Sequence, residues 1–385
     1  MATTTVLART PLDQHIQQLA AFEPTAHPVL SLYLDLTPNQ HGREQYSAFV
    51  RKALGERARS LRALSPERES IERDVARIET YLRDELRPTA KAVAIFACAG
   101  CGGFFDAVQL DAPIDRHWLF VGPVPHLYPL VRLVDQFPRY AAVMLDTHQA
   151  RIFVFGLNAV EREQNVVNQK SRRSSVGGWS QARYQRRADN LHLQHVREVV
   201  ETLERIVDEE QIAHLVVIGH EVAVPLLQDQ LPQRLRDKLV DTIKLERGAP
   251  DRDVLQATLE TLRINDAQTD AEHVAQMLDA WRAGGLAVAG PAATLEALQL
   301  GQVEELLIAG TPDAITLQTP KKVEITWGPL EVQTSQAEAP DDRRLVVADE
   351  LVTRAQQTGA RVRFIEDAAL LEPVGGVGAL LRFRL

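Results

Sequence analysis

The sequence predicts an α/β protein of three domains, each a mixed β-sheet with packed helices. Its 385 residues correspond to two or three domains of roughly 150 residues. Apolar runs of strand length alternate with stretches of helical periodicity along the chain. With 45% hydrophobic and 25% charged residues, the composition is globular and excludes a disordered tail or a fibre. We place the domains at residues 1–136, 137–270 and 271–385.

The sequence lacks the features of a membrane or secreted protein. Its longest apolar runs, such as Ala92–Ala99 and Ala141–Leu145, fall short of the roughly 18 residues of a membrane span. The first residues, MATTTVLART, lack the basic start and apolar stretch of a secretory signal. Two cysteines are too few for a disulfide scaffold. We therefore expect a soluble, cytoplasmic protein with no membrane partner.

The first third should combine a sheet with a helical hairpin. The run Val29–Leu36 alternates in the manner of a strand. From Glu44 to Leu86 apolar residues recur at helical steps, and Pro66 divides this stretch into two helices. The remaining elements expected here are a helix at Leu12–Ala21 and strands at Ala92–Ala97, Phe104–Leu110 and Trp118–Val121.

The middle third begins with a predicted β-hairpin, Tyr140–Leu145 and Arg151–Phe155. An apolar face with helical spacing then predicts a helix from about Asp189 to Glu209. The strand His214–Gly219 follows, with a helix near Val222–Leu227. A further helical stretch, Val254–Trp281, should join this domain to the last.

The final third repeats the alternation of strand and helix. Pro291 suits the first turn of a helix, and Gly359 is a plausible C-terminal cap for a helix over Leu345–Thr358. The polar stretch Gln333–Asp342 is expected to be a flexible, irregular segment. The predicted strands are Leu286–Ala289, Val303–Ala309, Val362–Ile365 and Ala379–Leu385.

The charge is unevenly distributed along the chain. The overall net charge is −9, of which residues 1–136 carry −1, residues 137–270 carry −2 and residues 271–385 carry −6. A mean acidic charge therefore says little about nucleic-acid binding by the first two thirds.

One segment of the middle third stands out. Residues 170–187 (KSRRSSVGGWSQARYQRR) contain six cations and no acid, and they have no apolar periodicity to bury, so we expect a surface loop. Cations bind phosphates and aromatic rings stack on bases, so this composition suits RNA, with a merely solvated basic loop as the alternative. The residues assigned to RNA binding are Lys170, Arg172, Arg173, Trp179, Arg183, Tyr184, Arg186 and Arg187.

Two other patterns are candidate sites. Cys98 and Cys101 have the spacing of a zinc knuckle, but a second ligand pair is missing, so we expect no metal and no cofactor. A redox pair of this spacing should begin a helix, whereas here two glycines lead into another apolar run, so we assign the cysteines a structural role. His192 and His195 lie one turn apart on a predicted polar helix face, and we expect them to be solvated.

The basic segment and its flanking elements resemble the central domain of the archaeo-eukaryotic class 1 release factor superfamily, which includes Pelota. The resemblance is carried by Gly177-Gly178-Trp179-Ser180-Gln181 and the following residues 182–187. Termination factors of this superfamily carry a contiguous Gly-Gly-Gln. This chain instead has Gly178-x-x-Gln181, which is closer to the releasing factor of eukaryotic ribosome quality control and its bacterial relatives. The last third is similar to the superfamily's C-terminal domain at residues 285–288, 295–301 and 375–381.

This resemblance implies release-factor-like N-terminal, central and C-terminal domains and a role in translation. It implies hydrolysis of the peptidyl-tRNA ester on the ribosome, in ribosome rescue or quality control, with Gly177, Gly178 and Gln181 as catalytic residues. It also implies that the C-terminal domain contacts a translational GTPase. The decoding sequence Asn-Ile-Lys-Ser of true termination factors is absent from residues 1–136, so stop-codon reading is not expected.

The sequence is compatible with two other functions. The same loop is compatible with an endonuclease that cuts tRNA near its 3′ end, with Gln181 and Arg183 acting on a phosphodiester. The chain is also compatible with a non-catalytic, Pelota-like factor that binds the ribosome.

Overall fold

The structure, a computed structural model, describes residues 12–38, 44–63, 65–146, 149–167, 181–219, 223–246, 248–317, 331–334 and 342–384. For residues 181–189, 331–334 and 342 the description covers the backbone. Two compact units are present, one formed by residues 1–136 with 269–385 and the other by residues 137–268. The three-domain boundaries remain a prediction. The described residues form three mixed or antiparallel sheets with helices, which confirms the α/β class.

The first unit contains an antiparallel sheet of five strands, in the order β12-β4-β1-β2-β3. Its first four strands are β1 (Val29–Asp35), β2 (Ala92–Cys98), β3 (Phe104–Leu110) and β4 (Trp118–Gly122). The helices of this part of the chain are α1 (Leu12–Ala20), α2 (Tyr46–Ser60), α3 (Pro66–Asp84) and α4 (Tyr128–Gln136). Every residue of β2 is buried, and its Val93, Ile95 and Ala97 pack in one core with apolar side chains of α2 and α3.

The helical hairpin predicted around Pro66 is confirmed. Helix α2 ends at Ser60, and α3 begins at Pro66 with the proline in its first turn. The hydroxyl of Ser65 caps α3 by accepting the N–H of Arg68 at 3.2 Å. The break follows from proline's missing N–H, which costs nothing where a helix begins.

The fifth strand of this sheet, β12 (Glu331–Thr334), comes from the last third of the chain. It pairs antiparallel with β4, from Glu331 opposite Val121 to Thr334 opposite Trp118. The prediction of an irregular excursion beginning at Gln333 is therefore wrong for its first two residues. An edge strand is held mainly by backbone hydrogen bonds, so its sequence needs no run of apolar residues.

The second sheet of the first unit has the order β10-β14-β11-β13, with β11 and β13 parallel. Its strands are β10 (Ala287–Ala289), β11 (Val303–Ala309), β13 (Arg361–Ile365) and β14 (Val377–Leu381). The helices of this part are α9 (Pro291–Gln299), α10 (Asp342–Thr358) and the last turns of α8 (Asp251–Arg282). Helix α10 ends before Gly359, whose φ of +65° suits a glycine cap, as predicted.

The second unit contains a mixed sheet in the order β7-β6-β5-β8-β9, in which β5, β8 and β9 are parallel. The predicted hairpin is confirmed as β5 and β6, and β7 adds an edge strand that the sequence analysis missed. The strands are β5 (Tyr140–Leu145), β6 (Gln149–Gly156), β7 (Ala159–Val167), β8 (His214–Gly219) and β9 (Leu239–Ile243). The helices are α5 (Gln181–Glu209), α6 (Ala223–Gln230) and α7 (Gln233–Arg236).

Helix α5 covers one face of this sheet. Val199, Leu203 and Ile206 recur at steps of three and four residues and are fully buried. They pack in one core with the inward side chains of β5, β6 and β8, such as Val143 and Val217. Packing of this apolar face against the sheet determines the rotation of α5 about its own axis.

Candidate functional site

The predicted RNA-binding and catalytic segment is divided between residues that the structure describes and residues that it does not. Gln181, Arg183, Tyr184, Arg186 and Arg187 lie on the first turns of α5, where the backbone is described. The segment connects the end of the edge strand β7 to the start of α5. The predicted site residues outside the described ranges are Lys170, Arg172, Arg173, Gly177, Gly178 and Trp179.

The prediction that the loop extends to Arg187 is wrong. Helix α5 begins at Gln181, eight residues before the expected start at Asp189. The prediction followed apolar periodicity, which begins only near Leu193. The preceding turns are rich in alanine, glutamine and arginine, residues with high intrinsic helix propensity that need no buried face.

The helical start gives the cationic residues a defined spacing. Positions 186 and 187 are three and four residues after position 183, so the three positions lie on one side of the helix. Gln181 occupies the first helical position. The backbone N–H groups of a helix's first turn have no acceptor within the helix and favour a bound anion.

The charges of α5 oppose its macrodipole. Its first turn contains no acidic residue and its last turn contains no basic residue, which is the reverse of the favourable arrangement. Each such misplaced charge costs roughly 0.3–1 kcal/mol. The helix macrodipole therefore does not explain why arginines occupy the first turns.

At the acidic end of α5 the protein itself compensates the charge. Arg162 of β7 lies 3.1 Å from Glu209 Oε2, and Arg234 lies 2.8 Å from Asp208 Oδ2.

The two histidines of α5 occupy different environments. His195 is only 1% exposed and lies on the buried side of the helix beside Val196 and Val199, so the prediction that it is solvated is wrong. His192 is half-buried. The error arose because the residues around these histidines are polar in sequence, although position 195 is one turn from the buried Val199.

A cleft that the sequence analysis did not anticipate lies at the carboxyl ends of β5 and β8. The space in it that a water-sized sphere can occupy is about 50 Å³. Adjacent parallel strands present their carboxyl ends at one sheet edge, a common place for ligands in α/β folds. Two residues in the sequence could have indicated this cleft: Asp146, which directly follows the apolar strand β5, and Gly219, which ends the apolar strand β8. The lining residues are Met144, Leu145, Asp146, Gln149, Arg151, Ile218, Gly219, Leu245 and Gly248.

Cys98 and Cys101 are joined by a disulfide. Within the described ranges, no group of three or more His, Cys, Asp or Glu side chains is placed to hold a metal ion. Among the helices in those ranges, none combines the length and apolarity required to cross a bilayer.

Two family models match the chain. Residues 125–263 match bacterial archaeo-eukaryotic release factor family 10, and residues 267–385 match domain 3 of eRF1. Together the matches cover about two thirds of the 385 residues and include the whole segment from Lys170 to Arg187. No sequence among the curated proteins matches the chain.

Several solved structures are also similar to this chain. The archaeal translation termination factor aRF1 is 16% identical, with 97% of each chain covered and a TM-score of 0.26. The Pelota protein of Thermoplasma acidophilum is 15% identical, with 78% of this chain and 83% of that chain covered and a TM-score of 0.28. Archaeal Pelota in a ribosome-bound model with ABCE1 is 13% identical, with 97% of this chain and 94% of that chain covered and a TM-score of 0.42.

Proposed function

This chain is a bacterial archaeo-eukaryotic release factor-like protein, and we propose that it associates with the ribosome and hydrolyses the ester of peptidyl-tRNA. The observation that carries the proposal is the cationic start of α5, within the region that matches family 10. A helix that begins with arginines against its own dipole is suited to an anionic partner, and a tRNA end is such a partner.

The proposed reaction delivers water to the ester carbonyl that joins the nascent chain to tRNA. The surrounding catalytic groups are those of ribosomal RNA, so the protein needs to insert only a slender element. Gly177 and Gly178 have no side chain to obstruct a close approach to RNA. The transition state places negative charge on the carbonyl oxygen, which requires hydrogen-bond donors.

Gln181 is suited to provide or position such donors. Its backbone N–H belongs to the first turn of α5, where N–H groups have no acceptor within the helix. Its side-chain amide has no useful pKa, so in this proposal it positions water or the leaving ribose oxygen and exchanges no proton.

The cations of the segment are proposed to hold the phosphates of the tRNA end. Lys170, Arg172 and Arg173 precede the glycines in sequence, and Arg183, Arg186 and Arg187 follow them on the helix. Trp179 and Tyr184 are proposed to stack on bases. Phosphate contacts of this kind fix position and orientation without selecting a sequence.

The remainder of the chain is proposed to supply recruitment. Residues 267–385, which match domain 3 of eRF1, are the proposed contact for a translational GTPase. The absence of the Asn-Ile-Lys-Ser sequence from residues 1–136 favours rescue of ribosomes over reading of stop codons. A function on ribosomes places the protein in the cytoplasm.

The test is ribosome co-sedimentation followed by a peptidyl-tRNA turnover assay. The Gln181→Ala variant should still sediment with ribosomes but release peptide at least about tenfold more slowly, since a lost positioning contact in a transition state has effects of this size or larger. Gln194→Ala is the matched control, because Gln194 is an exposed glutamine on the same helix, 13 positions further along.

Two outcomes would replace this proposal with another. Unchanged release by the Gln181→Ala and Gly178→Ala variants, with intact ribosome binding, would support a non-catalytic, Pelota-like factor. Nucleotides retained on the released peptide, detected by mass spectrometry, would show that the loop cuts tRNA and leaves the ester intact.

A further inference from the structure

The Cys98–Cys101 disulfide closes the tip of the hairpin formed by β2 and β3. Cys98 is the last residue of β2 and pairs with Phe104, the first residue of β3. Within the turn, the N–H of Cys101 donates to the carbonyl oxygen of Cys98 at 3.0 Å. The Cα atoms of the two cysteines are 5.2 Å apart. None of these residues takes part in the proposed release reaction.

Residues on one side of α3 contact this turn. Ser70, Asp74 and Arg77 are separated by four and three residues, so they lie on the same side of the helix. The N–H of Gly100 donates to Ser70 Oγ at 2.7 Å, and Arg77 Nη1 donates to the carbonyl oxygen of Gly103 at 3.0 Å. The carboxyl group of Asp74 faces the backbone N–H of Ala99. The turn is thus positioned by three contacts that do not involve sulfur.

The two cysteines differ in their exposure to solvent. Cys98 is fully buried, whereas Cys101 is half-buried at the outer side of the turn. Cys101 Sγ lies 3.1 Å from the hydroxyl of Thr25, an exposed residue. The ring of His27 packs directly on Gly100, where a side chain would overlap it. Cys101 is therefore the more accessible of the two cysteines to an external thiol.

We propose that Cys98 and Cys101, to which the sequence pattern assigns a structural role, instead form a reversible thiol–disulfide site whose reaction partners are thiols and disulfides. A thiolate of a dithiol reductant attacks Cys101 Sγ, the Cys98–Cys101 bond breaks, and Cys98 leaves as a thiolate. The second thiolate of the reductant then attacks the reductant sulfur that is bonded to Cys101. This breaks the mixed disulfide and releases Cys101 as a thiolate. Two electrons pass to the protein, the two protons of the reductant end on the cysteines, and the reductant becomes a disulfide.

The structure around the turn favours re-formation of the disulfide after reduction. Since backbone pairing and the α3 contacts position the turn, the cysteines should stay within bonding distance after reduction, and a Cα separation of about 4.4–6.8 Å permits a disulfide. A bridge between residues so close in sequence also constrains the unfolded chain little, so it is a weak structural staple. If the chain works on cytoplasmic ribosomes, as proposed above, its disulfide belongs to a reducing compartment, where such bonds are typically transient or redox-sensing.

The test is a redox titration of the full chain under native conditions, with no ribosome present, so that its outcome is independent of the proposed release activity. The protein is equilibrated with ratios of reduced to oxidised dithiothreitol, free thiols are alkylated with a maleimide, and the mass is measured. We expect two thiols to appear together in a single step, with an unchanged circular dichroism spectrum, and to disappear again on oxidation with glutathione disulfide. Thiols that appear only after denaturant is added, or reduction that unfolds the chain, would overturn the proposal.

Single variants test the order of attack. In Cys98→Ser the remaining Cys101 should react with the maleimide at least roughly tenfold faster than Cys98 does in Cys101→Ser, because accessibility controls thiol reactivity. Equal rates, or a faster Cys98, would contradict the assigned entry point. Ser70→Ala keeps both cysteines but removes one contact to the turn, and it should slow re-formation of the disulfide after reduction.

Discussion

Asp349 Oδ1 accepts the backbone N–H of Leu127 at 2.7 Å, although 222 positions separate the two residues. The same oxygen accepts the N–H of Tyr128 at 2.9 Å, and the other carboxylate oxygen lies 3.1 Å from His126 Nδ1. One buried side chain of α10 thus satisfies the first N–H groups of α4. It links the first and last thirds of the chain within the first unit.

The first prediction concerns this capping carboxylate. Asp349→Ala leaves two buried N–H groups without their acceptor, and each such loss costs roughly 1–3 kcal/mol. We expect the free energy of unfolding of the first unit to fall by about 2–4 kcal/mol, measured as a lower urea midpoint by circular dichroism. Asp349→Asn keeps one acceptor oxygen and should lose less.

Asp367 provides the control for this prediction. It also caps a helical turn, by accepting the N–H of Ala369 at 3.1 Å, but it is exposed, so water replaces the lost acceptor. Asp367→Ala should cost less than about 1 kcal/mol. Equal losses for the two alanine variants would show that burial of the Asp349 cap contributes nothing.

The second prediction concerns pH. Burial raises the pKa of Asp74 from 3.8 to about 7, opposed by the N–H of Ala99 and by Arg73 and Arg77. The folded chain therefore holds a proton on Asp74 that the unfolded chain has already lost between pH 4 and 7. Stability should accordingly decrease as the pH rises through this window and level off above pH 7, by at most about 4 kcal/mol.

Asp74→Asn isolates this effect. Asparagine is uncharged at every pH and keeps an acceptor for Ala99, so the part of the pH dependence due to residue 74 should vanish in urea titrations at pH 5 and pH 8. The variant should gain stability relative to the original chain mainly at pH 8. A gain confined to pH 5 would contradict the raised pKa.

The sequence revealed those elements whose side chains form a regular apolar pattern. The buried face of α5 and the hairpin of β5 and β6 follow directly from such patterns, and the break at Pro66 follows from the chemistry of proline. The first turns of α5 and the edge strands β7 and β12 have no such pattern, because backbone hydrogen bonds and helix propensity define them. The pairing of β12 with β4, some 200 residues earlier in the chain, depends on contacts that no local window contains.

The candidate site also combines features that the sequence predicts with features that it does not. The cationic residues were identified from composition alone, but composition did not indicate that Arg183 and Arg187 are helical, since arginine occurs in loops and helices alike. The cleft near Asp146 and Gly219 depends on two strands becoming parallel neighbours, which their separate sequences do not state.

The third prediction tests that pairing through Gly219. A Cβ at this position would lie 2.8 Å from Val224 Cγ2 and 3.0 Å from the carbonyl oxygen of Leu145. The backbone oxygen cannot move without disturbing β5, so Gly219→Ala should destabilise the second unit by about 1–3 kcal/mol. Thermal unfolding measures the change. Gly55→Ala is the contrasting control. Gly55 lies within α2, and a Cβ there would meet no atom outside the local helix backbone closer than Arg59 Nη2 at 3.9 Å, so alanine should stabilise by up to about 1 kcal/mol.

The last prediction concerns the cationic start of α5. Replacement of Arg186 and Arg187 by glutamine removes two charges while retaining residues with good helix propensity. If both arginines contact phosphates, affinity for a tRNA acceptor-stem RNA should fall, and the slope of log affinity against log salt should decrease in magnitude by about 1–2. Filter binding from 50 to 300 mM KCl measures the slope.

Arg197 and Arg205 lie further along the same helix and supply the matched control. Their replacement by glutamine removes two surface charges, and no change of slope is expected. Identical slopes for the Arg186/Arg187 variant and the original chain would eliminate these residues as phosphate contacts, whereas equal reductions in both double variants would show only a general effect of net charge.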